Sequence, residues 1–366
     1  MVVLSNIMDY LQAERQLIQE FLENLEELPD VHAKLHREQS KIGSMRLDAE
    51  LDLEVAGTSL RLLVEAKRSA YPRDLHQVIW QLRRAREEHK SQKELVLMLV
   101  AEYLSPGAKQ LLKAEHIGYY ESGGSLYLPA PGAYFYIDKP PAKAFERSVR
   151  SLFSGRRAQV LHALLIHHES WFGVHELAQL AKVSPATVSE VLSELERSEW
   201  LTSRGKGPQK ERYLSEASTL LDAWAAQVKT SALPRLARYY VPGLKADGLL
   251  SRIGKEFGNS NIEYSVSYEA AAQRYAPFLT SVAQVRMRLL KAPESQAAIS
   301  ELGAKSVTEG SNLSIIDAES QGDFLFRERV NGVWLASPVQ VYLDLLQGEG
   351  RSVEMAEHLR KEKICF

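Results

Sequence analysis

The sequence is poor in cysteine, since Cys365 is the only one among 366 residues. A lone thiol excludes an internal disulfide framework and a cysteine-rich zinc site, and it is typical of a reducing cytoplasm. His32 and His36 lie one helical turn apart, but no third histidine or cysteine accompanies them at zinc spacing. No apolar run is long enough to span a membrane, and charged residues interrupt the first apolar stripe. We therefore expect a cytoplasmic protein with no membrane partner and no signal peptide.

The sequence also lacks an excess of charge of either sign. Its 45 lysines and arginines nearly balance 47 acids, for a formal net charge of −2, so any surface that binds nucleic acid must be local. A chain of this length is expected to form two or three domains. Prolines and glycines punctuate it after residue 128 and again between residues 230 and 242. The expected domains are residues 1–140, 150–228 and 234–366.

Residues 47–67 are predicted to form two strands joined by a short turn. In the first strand apolar residues alternate with acids that include Asp48 and Asp52, so one face is apolar and the other carries carboxylates. The second strand ends in Glu65-x-Lys67, which places these two side chains on one face. Carboxylates that bind Mg²⁺ beside a lysine suit phosphodiester hydrolysis. The hairpin register decides whether Asp48 or Asp52 lies across from Glu65, and both remain candidates.

An acid followed across a hairpin by Glu65-x-Lys67 resembles the PD-(D/E)xK, or restriction-endonuclease-like, superfamily of nucleases. The resemblance implies a sheet-and-helix domain over residues 1–140, with Mg²⁺ as cofactor if the site is active. The catalytic residues it implies are Asp48, Asp52, Glu65 and Lys67. The proline that often precedes the acid in that family is missing here. The alternative is an exposed edge hairpin with solvated charges.

An amphipathic helix is predicted over residues 4–28, and Glu14 lies on its apolar stripe. A carboxylate on a core-facing stripe needs a partner or a metal, unless it points outward or pairs with a lysine. In the resembled nucleases a glutamate from the first helix often joins the metal site. Gln77 or Gln81, on a helix predicted after Lys67, would also suit that family, although both would serve equally well as structural residues. The metal ligands implied are Glu14, Asp48, Asp52 and Glu65.

Residues 156–196 carry the strongest motif in the chain. Two amphipathic helices precede a tight turn, after which Ser184 and Pro185 are a favourable N-cap and first helical residue. The helix that follows buries an apolar stripe and turns small polar residues outward, as a recognition helix does toward the major groove. Its candidate DNA-binding residues are Ser184, Ala186, Thr187, Ser189 and Ser193.

A glycine-rich hairpin with four cations and one acid follows this helix. Such a basic wing suits phosphates or the minor groove. Its candidate DNA-binding residues are Arg204, Lys206, Lys210 and Arg212. The whole pattern resembles winged helix-turn-helix regulators of bacteria, which implies double-stranded DNA as partner, no cofactor for binding it, and a homodimer on a palindromic operator. The alternative is a winged helix used only for protein contacts.

The C-terminal segment, residues 234–366, is predicted to be an α+β domain. Tyr264-Ser-x-Ser-x-Glu-Ala-Ala-Ala and Ser337-Pro-x-Gln-x-Tyr-Leu-Asp-Leu look like the C-terminal domain of AbiEi-type abortive-infection antitoxin regulators. That resemblance implies binding to the protein's own operator and a cognate nucleotidyltransferase-type toxin as partner. Arg286 and Arg288 alternate with apolar residues on a predicted strand, where they either extend the DNA-contacting surface or are exposed and simply solvated.

These features predict an α/β (α+β) multidomain protein and two competing functions. The first is a DNA-binding transcriptional regulator of antitoxin type, whose nuclease-like domain serves binding or dimerisation. The second is a Mg²⁺-dependent DNA endonuclease that is targeted by its winged helix. The first is favoured because the winged-helix and C-terminal resemblances cover more residues than the nuclease motif does.

Overall fold

The computed structural model describes residues 2–55, 57–130, 133–139, 152–259 and 262–366. These described segments contain twelve α-helices and two large mixed sheets, which confirms the predicted α+β fold class. The contacts divide the chain into two compact units, Met1–Val149 with Glu194–Glu199, and Arg150–Ser193 with Trp200–Phe366. The division into three domains stays a prediction. None of the helices in the described segments has the length and apolar character needed to cross a membrane.

The first unit is built on one sheet, whose described strands run in the order β1 to β7. Pairing is antiparallel except that β3–β4 and β4–β5 are parallel. Its elements are α1 (Val2–Glu26), β1 (Val31–Ile42), β2 (Met45–Val55), β3 (Thr58–Ala70), α2 (Pro72–Glu88), β4 (Glu94–Leu104), α3 (Pro106–Ala114), β5 (Gly118–Glu121), β6 (Ser125–Ala130) and β7 (Ala133–Ile137).

Apolar residues cover both faces of this sheet. Phe21 and Leu25 of α1 pack on one face, and Leu75 and Leu82 of α2 pack on the other. Strand β4 lies between these layers, which is why its apolar run 96–101 is continuous rather than alternating. The two-layer cover holds the hairpin of β2 and β3 in the middle of the domain.

One element of the first unit was not predicted. Residues 31–42 form the edge strand β1, so His32 and His36 lie on a strand and not on successive turns of a helix. Most of the side chains in the middle of β1 are exposed, which leaves little of the alternation that identifies a strand. The strand forms because the backbone of β2 pairs with it.

The second unit begins with the segment that is predicted to be a winged helix. Its three short strands in the described range pair in the order β8-β10-β9. The elements are α4 (Gly155–Ile166), β8 (Trp171–Phe172), α5 (Val174–Ala181), α6 (Pro185–Arg197), β9 (Leu201–Arg204), β10 (Glu211–Leu214) and α7 (Ala217–Thr230).

The remainder of the second unit is a mixed sheet with helices. The described strands run in the order β14-β11-β15-β13-β12-β17-β16. The elements are β11 (Ala237–Tyr240), α8 (Ala246–Asn259), β12 (Tyr264–Ser267), α9 (Tyr268–Tyr275), β13 (Val285–Leu290), α10 (Pro293–Glu301), β14 (Lys305–Ser306), β15 (Leu313–Ala318), β16 (Glu328–Val330), β17 (Val333–Leu335), α11 (Pro338–Leu345) and α12 (Ser352–Leu359).

Candidate functional sites

The hairpin of β2 and β3 brings Asp48 to the Glu65-x-Lys67 segment. The two strands pair regularly from Ala49 opposite Val64 onward, and Asp48 lies one residue beyond that ladder. Its Oδ2 accepts a hydrogen bond of 2.8 Å from the backbone N–H of Ala66. Asp48 is therefore anchored to the residue that separates Glu65 from Lys67.

Glu65 is held by neighbours on two elements. The Nζ of Lys67 lies 2.8 Å from Oε1 of Glu65, and Nε2 of Gln81 on α2 donates to Oε2 at 3.2 Å. Only 5% of Glu65 is exposed. Of the two glutamines considered on α2, Gln81 is the one bonded to this carboxylate. Both carboxylate oxygens are thus positioned before any ligand arrives.

The charges around Glu65 are predominantly negative. The pKa of Glu65 is raised to about 7, chiefly by burial and then by the negative charges of Asp48 and Glu14, with Lys67 acting in the opposite direction. Glu14 lies on α1 and is itself buried. A carboxylate whose pKa is raised by two neighbouring acids is in a place where a bound cation would relieve repulsion. Glu14, Asp48, Glu65 and Lys67 therefore belong to one electrostatic cluster.

Asp52 lies in a different network. Its Oδ1 is 3.0 Å from Nε of Arg61 and 2.6 Å from Nζ of Lys93, and Oδ2 is 3.3 Å from Nδ1 of His36. Burial alone would raise the pKa of Asp52, but the hydrogen bonds from Lys93 and Arg61 outweigh it and lower that pKa. The structure does not bring Asp52 to Glu65 and Lys67. Strand register opposes Asp52 to Arg61 instead.

Sequence reasoning missed the partners of this second network. Glu50 is buried and bonds to Ser40, to Arg61 at 2.9 Å and to His89 at 3.1 Å. Burial raises its pKa, but those hydrogen bonds lower it more. The alternation of β2 marks Glu50 as an acid on the polar face, and Arg61 falls on the predicted returning strand. Together they could have indicated an ion pair on this face. That pair would have argued against assigning Asp52 to the nuclease motif.

The acidic cluster fits a magnesium ion only partly. Among the described residues no three histidine, cysteine, aspartate or glutamate side chains are arranged as a ready metal-binding group. Mg²⁺, however, is usually held by one or two carboxylates together with water and substrate phosphates. A cavity of about 30 Å³ beside Glu14 and Asp48 has room for a water-sized group. Asp48 and Glu65 supply oxygen donors of the kind this ion prefers.

Helix α6 presents the predicted recognition face. Ser184 accepts a hydrogen bond of 3.2 Å from the backbone N–H of Thr187, as an N-cap does. Val188, Val191, Leu192 and Leu195 are buried, whereas Ala186, Ser189 and Ser193 are exposed and Thr187 is partly exposed. The hydroxyl of Ser193 donates to the carbonyl of Ser189 at 2.7 Å. Small, exposed polar side chains of this kind can approach base edges closely.

The wing is the hairpin of β9 and β10. Arg204 lies 2.7 Å from Glu211 and stacks 4.3 Å from the ring centroid of Trp171, so its charge is partly satisfied. Lys206 at the tip is exposed, while Lys210 and Arg212 are partly buried. The side chain of Arg212 donates to the carbonyl of Lys210 at 3.1 Å. Lys206 is therefore the most accessible of the four wing cations.

Arg288 does not extend a DNA-contacting surface, contrary to expectation. Its guanidinium forms a two-point ion pair with Asp344, with Nη2 2.6 Å from Oδ1. Burial lowers the pKa of Arg288, but the charge of Asp344 raises it more, so the guanidinium stays charged. The carboxylate of Asp344 also accepts hydrogen bonds from Ser267 and, at 2.9 Å, from Gln340. Because the hydroxyl of Ser267 is used in this way, it does not cap α9.

Arg286 is also largely removed from solvent. It lies 3.8 Å from Glu269 and 4.8 Å from the ring centroid of Tyr268, and 15% of its side chain is exposed. The expected solvent face of β13 is therefore an internal polar layer. This layer brings together the two sequence stretches that begin at Tyr264 and Ser337, although they lie about seventy residues apart in the chain.

Comparisons with known proteins give partial structural likenesses only. A scan against protein-family models finds no match, and a search of curated proteins also finds none. The crystal structure of a repair endonuclease from Pyrococcus abyssi is 22% identical, with a TM-score of 0.24, and the match covers 30% of this chain and 46% of that chain. The crystal structure of NolR from Sinorhizobium fredii is 18% identical, with a TM-score of 0.18, and the match covers 25% of this chain and 94% of that one.

Proposed function

We propose that the protein is a bacterial DNA-binding protein that acts as a transcriptional regulator of antitoxin type. The observation that carries this proposal is the polar face of α6, where Ser189 and Ser193 are exposed on the side opposite a buried apolar stripe. Lys206 on the adjoining wing adds a cation of the kind that binds phosphate. Double-stranded DNA is the partner that matches both surfaces.

The antitoxin assignment rests on the C-terminal resemblance. Its two motif stretches supply Ser267 and Asp344, which bond to each other within the buried layer around Arg288. This convergence supports a shared structural role for the motif residues. The C-terminal resemblance makes a nucleotidyltransferase-type toxin the proposed protein partner. The winged-helix resemblance makes a homodimer the proposed DNA-binding form. A sedimentation mass of one chain, measured on and off DNA, would contradict the dimer.

Selection of duplexes from a random library tests the DNA-binding proposal. The full chain is expected to enrich one sequence family, with half-sites about one helical turn apart if the protein is a dimer. The Ser189→Asp variant should enrich nothing above background, because its carboxylate faces the phosphates. Failure of the wild-type chain to enrich any sequence would contradict the proposal.

A second candidate function is Mg²⁺-dependent cleavage of DNA, and a specific observation favours it. Lys67 bonds to Glu65, and Asp48 bonds to the backbone N–H of Ala66 between them. Glu14 is close enough to raise the pKa of Glu65. When bound, Mg²⁺ would supply charge stabilisation and a more acidic water. Asp48 and Glu65 would hold that ion, and Lys67 would keep a positive charge where a phosphate would enter.

Plasmid cleavage with Mg²⁺ or Mn²⁺ tests this candidate. Wild-type protein should nick supercoiled DNA, and Glu65→Gln and Lys67→Met should not. The matched control is Glu54→Gln, which removes an exposed acid from the neighbouring strand β2. Equal cleavage by wild type, Glu65→Gln and Lys67→Met would reveal a contaminating nuclease, and no cleavage by any of them would leave the regulator as the sole proposal.

A further inference from the structure

A cavity of about 620 Å³ lies within the second unit, where the winged helix meets the C-terminal segments. One wall is the start of α4, another is the turn Lys182–Ser184, and a third is residues 320–323. Arg288 and Gln340 also line it. Its volume lies in the range of small-molecule sites, roughly 300–1,000 Å³.

The lining of the cavity is positively charged. Arg156, Lys182 and Arg288 line it, and Asp323 is the one acid among its described lining residues. Arg288 is neutralised by Asp344. Within the described ranges, neither Arg156 nor Lys182 has an ion-pair partner, and both are exposed. Two uncompensated cations therefore face a concave space.

Two helices begin at the wall of this cavity. Helix α4 starts at Gly155 and α6 starts at Pro185, directly after the lining residue Ser184. The first backbone N–H groups of a helix have no partner within it, and the aligned peptide dipoles place partial positive charge there. At α6, Pro185 has no N–H and the N–H of Thr187 is bonded to Ser184, so this helix contributes mainly its dipole. Helix starts combined with cations are a recurrent way to bind phosphate.

Lys182 ends helix α5 at the wall of the cavity. Lys182 has φ of +51° and ψ of +44°, a left-handed conformation that glycine or asparagine adopts at lower cost. This conformation is common at a helix C-cap, and the backbone N–H of Lys182 donates to the carbonyls of Ala178 and Gln179. A lysine here keeps a positive charge at the wall of the cavity.

We propose that this cavity binds a phosphate-bearing small molecule of about nucleotide size. The same chemistry is presented by a free nucleotide and by a DNA backbone. We argue for the free ligand because the lining extends inward to Arg288 and His162, which are largely buried. Since Ser184 both lines the cavity and caps α6, an occupant would contact the start of the recognition helix. The site goes beyond the proposed function and does not require that DNA binds.

Isothermal titration of the full chain with ATP and with inorganic phosphate tests the proposal. Arg156→Ala and Lys182→Asn are each expected to weaken ATP binding about tenfold, which is typical for loss of a hydrogen bond to a charged group. Neither change should unfold the chain, because asparagine tolerates the left-handed conformation and a cation at a helix start is not stabilising. The matched control Lys305→Ala removes an exposed lysine from β14, away from the cavity, and should bind ATP as wild type does.

A second arm separates the two sources of phosphate. DNA affinity is measured for the same four proteins without ATP. If ATP and phosphate do not bind, but Arg156→Ala and Lys182→Asn weaken DNA binding and reduce its salt dependence, the cavity serves the DNA backbone and the free-ligand proposal is overturned. ATP binding that is equal in wild type and both variants would overturn it as well.

Discussion

The carboxylate of Asp48 accepts a hydrogen bond of 2.8 Å from the backbone N–H of Ala66, the residue between Glu65 and Lys67. This contact fixes which acid of β2 belongs to the nuclease-like cluster. Asp52, four residues further along, is bonded instead to Arg61 and Lys93. The two acids should therefore respond differently to the same substitution.

Asp48→Asn should abolish any metal-dependent cleavage with little loss of stability, because an asparagine oxygen can still accept from Ala66. Asp52→Asn should retain cleavage and lower the free energy of unfolding by about 2 kcal/mol, since Arg61 and Lys93 would lose a partly buried partner. Plasmid nicking and urea unfolding measure the two effects. Loss of cleavage in Asp52→Asn at full stability would contradict this division of roles.

The wing cations should contribute unequally to DNA binding. Lys206→Ala is expected to reduce the slope of log affinity against log salt by about 1, as for one lost phosphate contact. Arg204→Ala should have a smaller effect, because Arg204 is already paired with Glu211 and stacked on Trp171. Fluorescence anisotropy between low and moderate salt measures both slopes. An unchanged slope in both variants would remove the wing from the interface.

The buried pair of Arg288 and Asp344 should be essential to the stability of the second unit. Asp344→Ala leaves a buried guanidinium without its carboxylate and should cost about 3–5 kcal/mol. The double variant Arg288→Met/Asp344→Leu should recover most of that loss, because neither charge is then left unpaired. Chemical unfolding of the full chain measures both variants. Equal instability of the single and double variants would show that the loss does not come from the unpaired charge.

His162 on α4 should make the folded chain sensitive to acid. The pKa of His162 is lowered from 6.5 to about 4, chiefly by burial and then by the positive charge of Arg288, with Asp344 acting in the opposite direction. Because the unfolded chain takes up the proton below pH 6.5 and the folded chain does not, stability is full above that pH and declines as pH falls toward 4. From pH 7 to pH 5 the expected loss is about 2 kcal/mol.

His162→Gln should remove that part of the acid sensitivity. The variant and wild type are compared by urea unfolding at pH 7 and pH 5. The contribution of carboxylates to the change in the free energy of unfolding is common to both proteins and cancels in the comparison. His76→Gln, which removes an exposed histidine, serves as control and should lose stability as wild type does. An equal loss in wild type and His162→Gln would mean that His162 is protonated in the folded chain.

Much of the candidate nuclease-like site follows from sequence pattern, because its residues are local. Glu65 and Lys67 are two apart on a strand, so alternation alone places them on one face. The choice between Asp48 and Asp52 could not be made in that way. It depends on strand register and on Arg61 and Lys93, which come from another strand and from the segment before β4.

The C-terminal sheet shows the same division between local and distant determinants. Alternation correctly predicts the strand that carries Arg286 and Arg288, but it cannot distinguish a solvent face from an internal polar layer. Asp344 follows Arg288 by 56 residues and arrives on a separate helix. The partner of Arg288 therefore could not be predicted from the residues next to it in the sequence.

Binding of the selected duplex by a recognition-helix variant tests the central claim most directly. Ser193→Asp and Ser300→Asp are matched, because each serine is exposed near the end of a helix and its hydroxyl donates to the carbonyl four residues earlier. Fluorescence anisotropy should show at least about tenfold weaker binding for Ser193→Asp, from repulsion by phosphates, and wild-type binding for Ser300→Asp. Wild-type affinity in Ser193→Asp would contradict the claim that α6 reads duplex DNA.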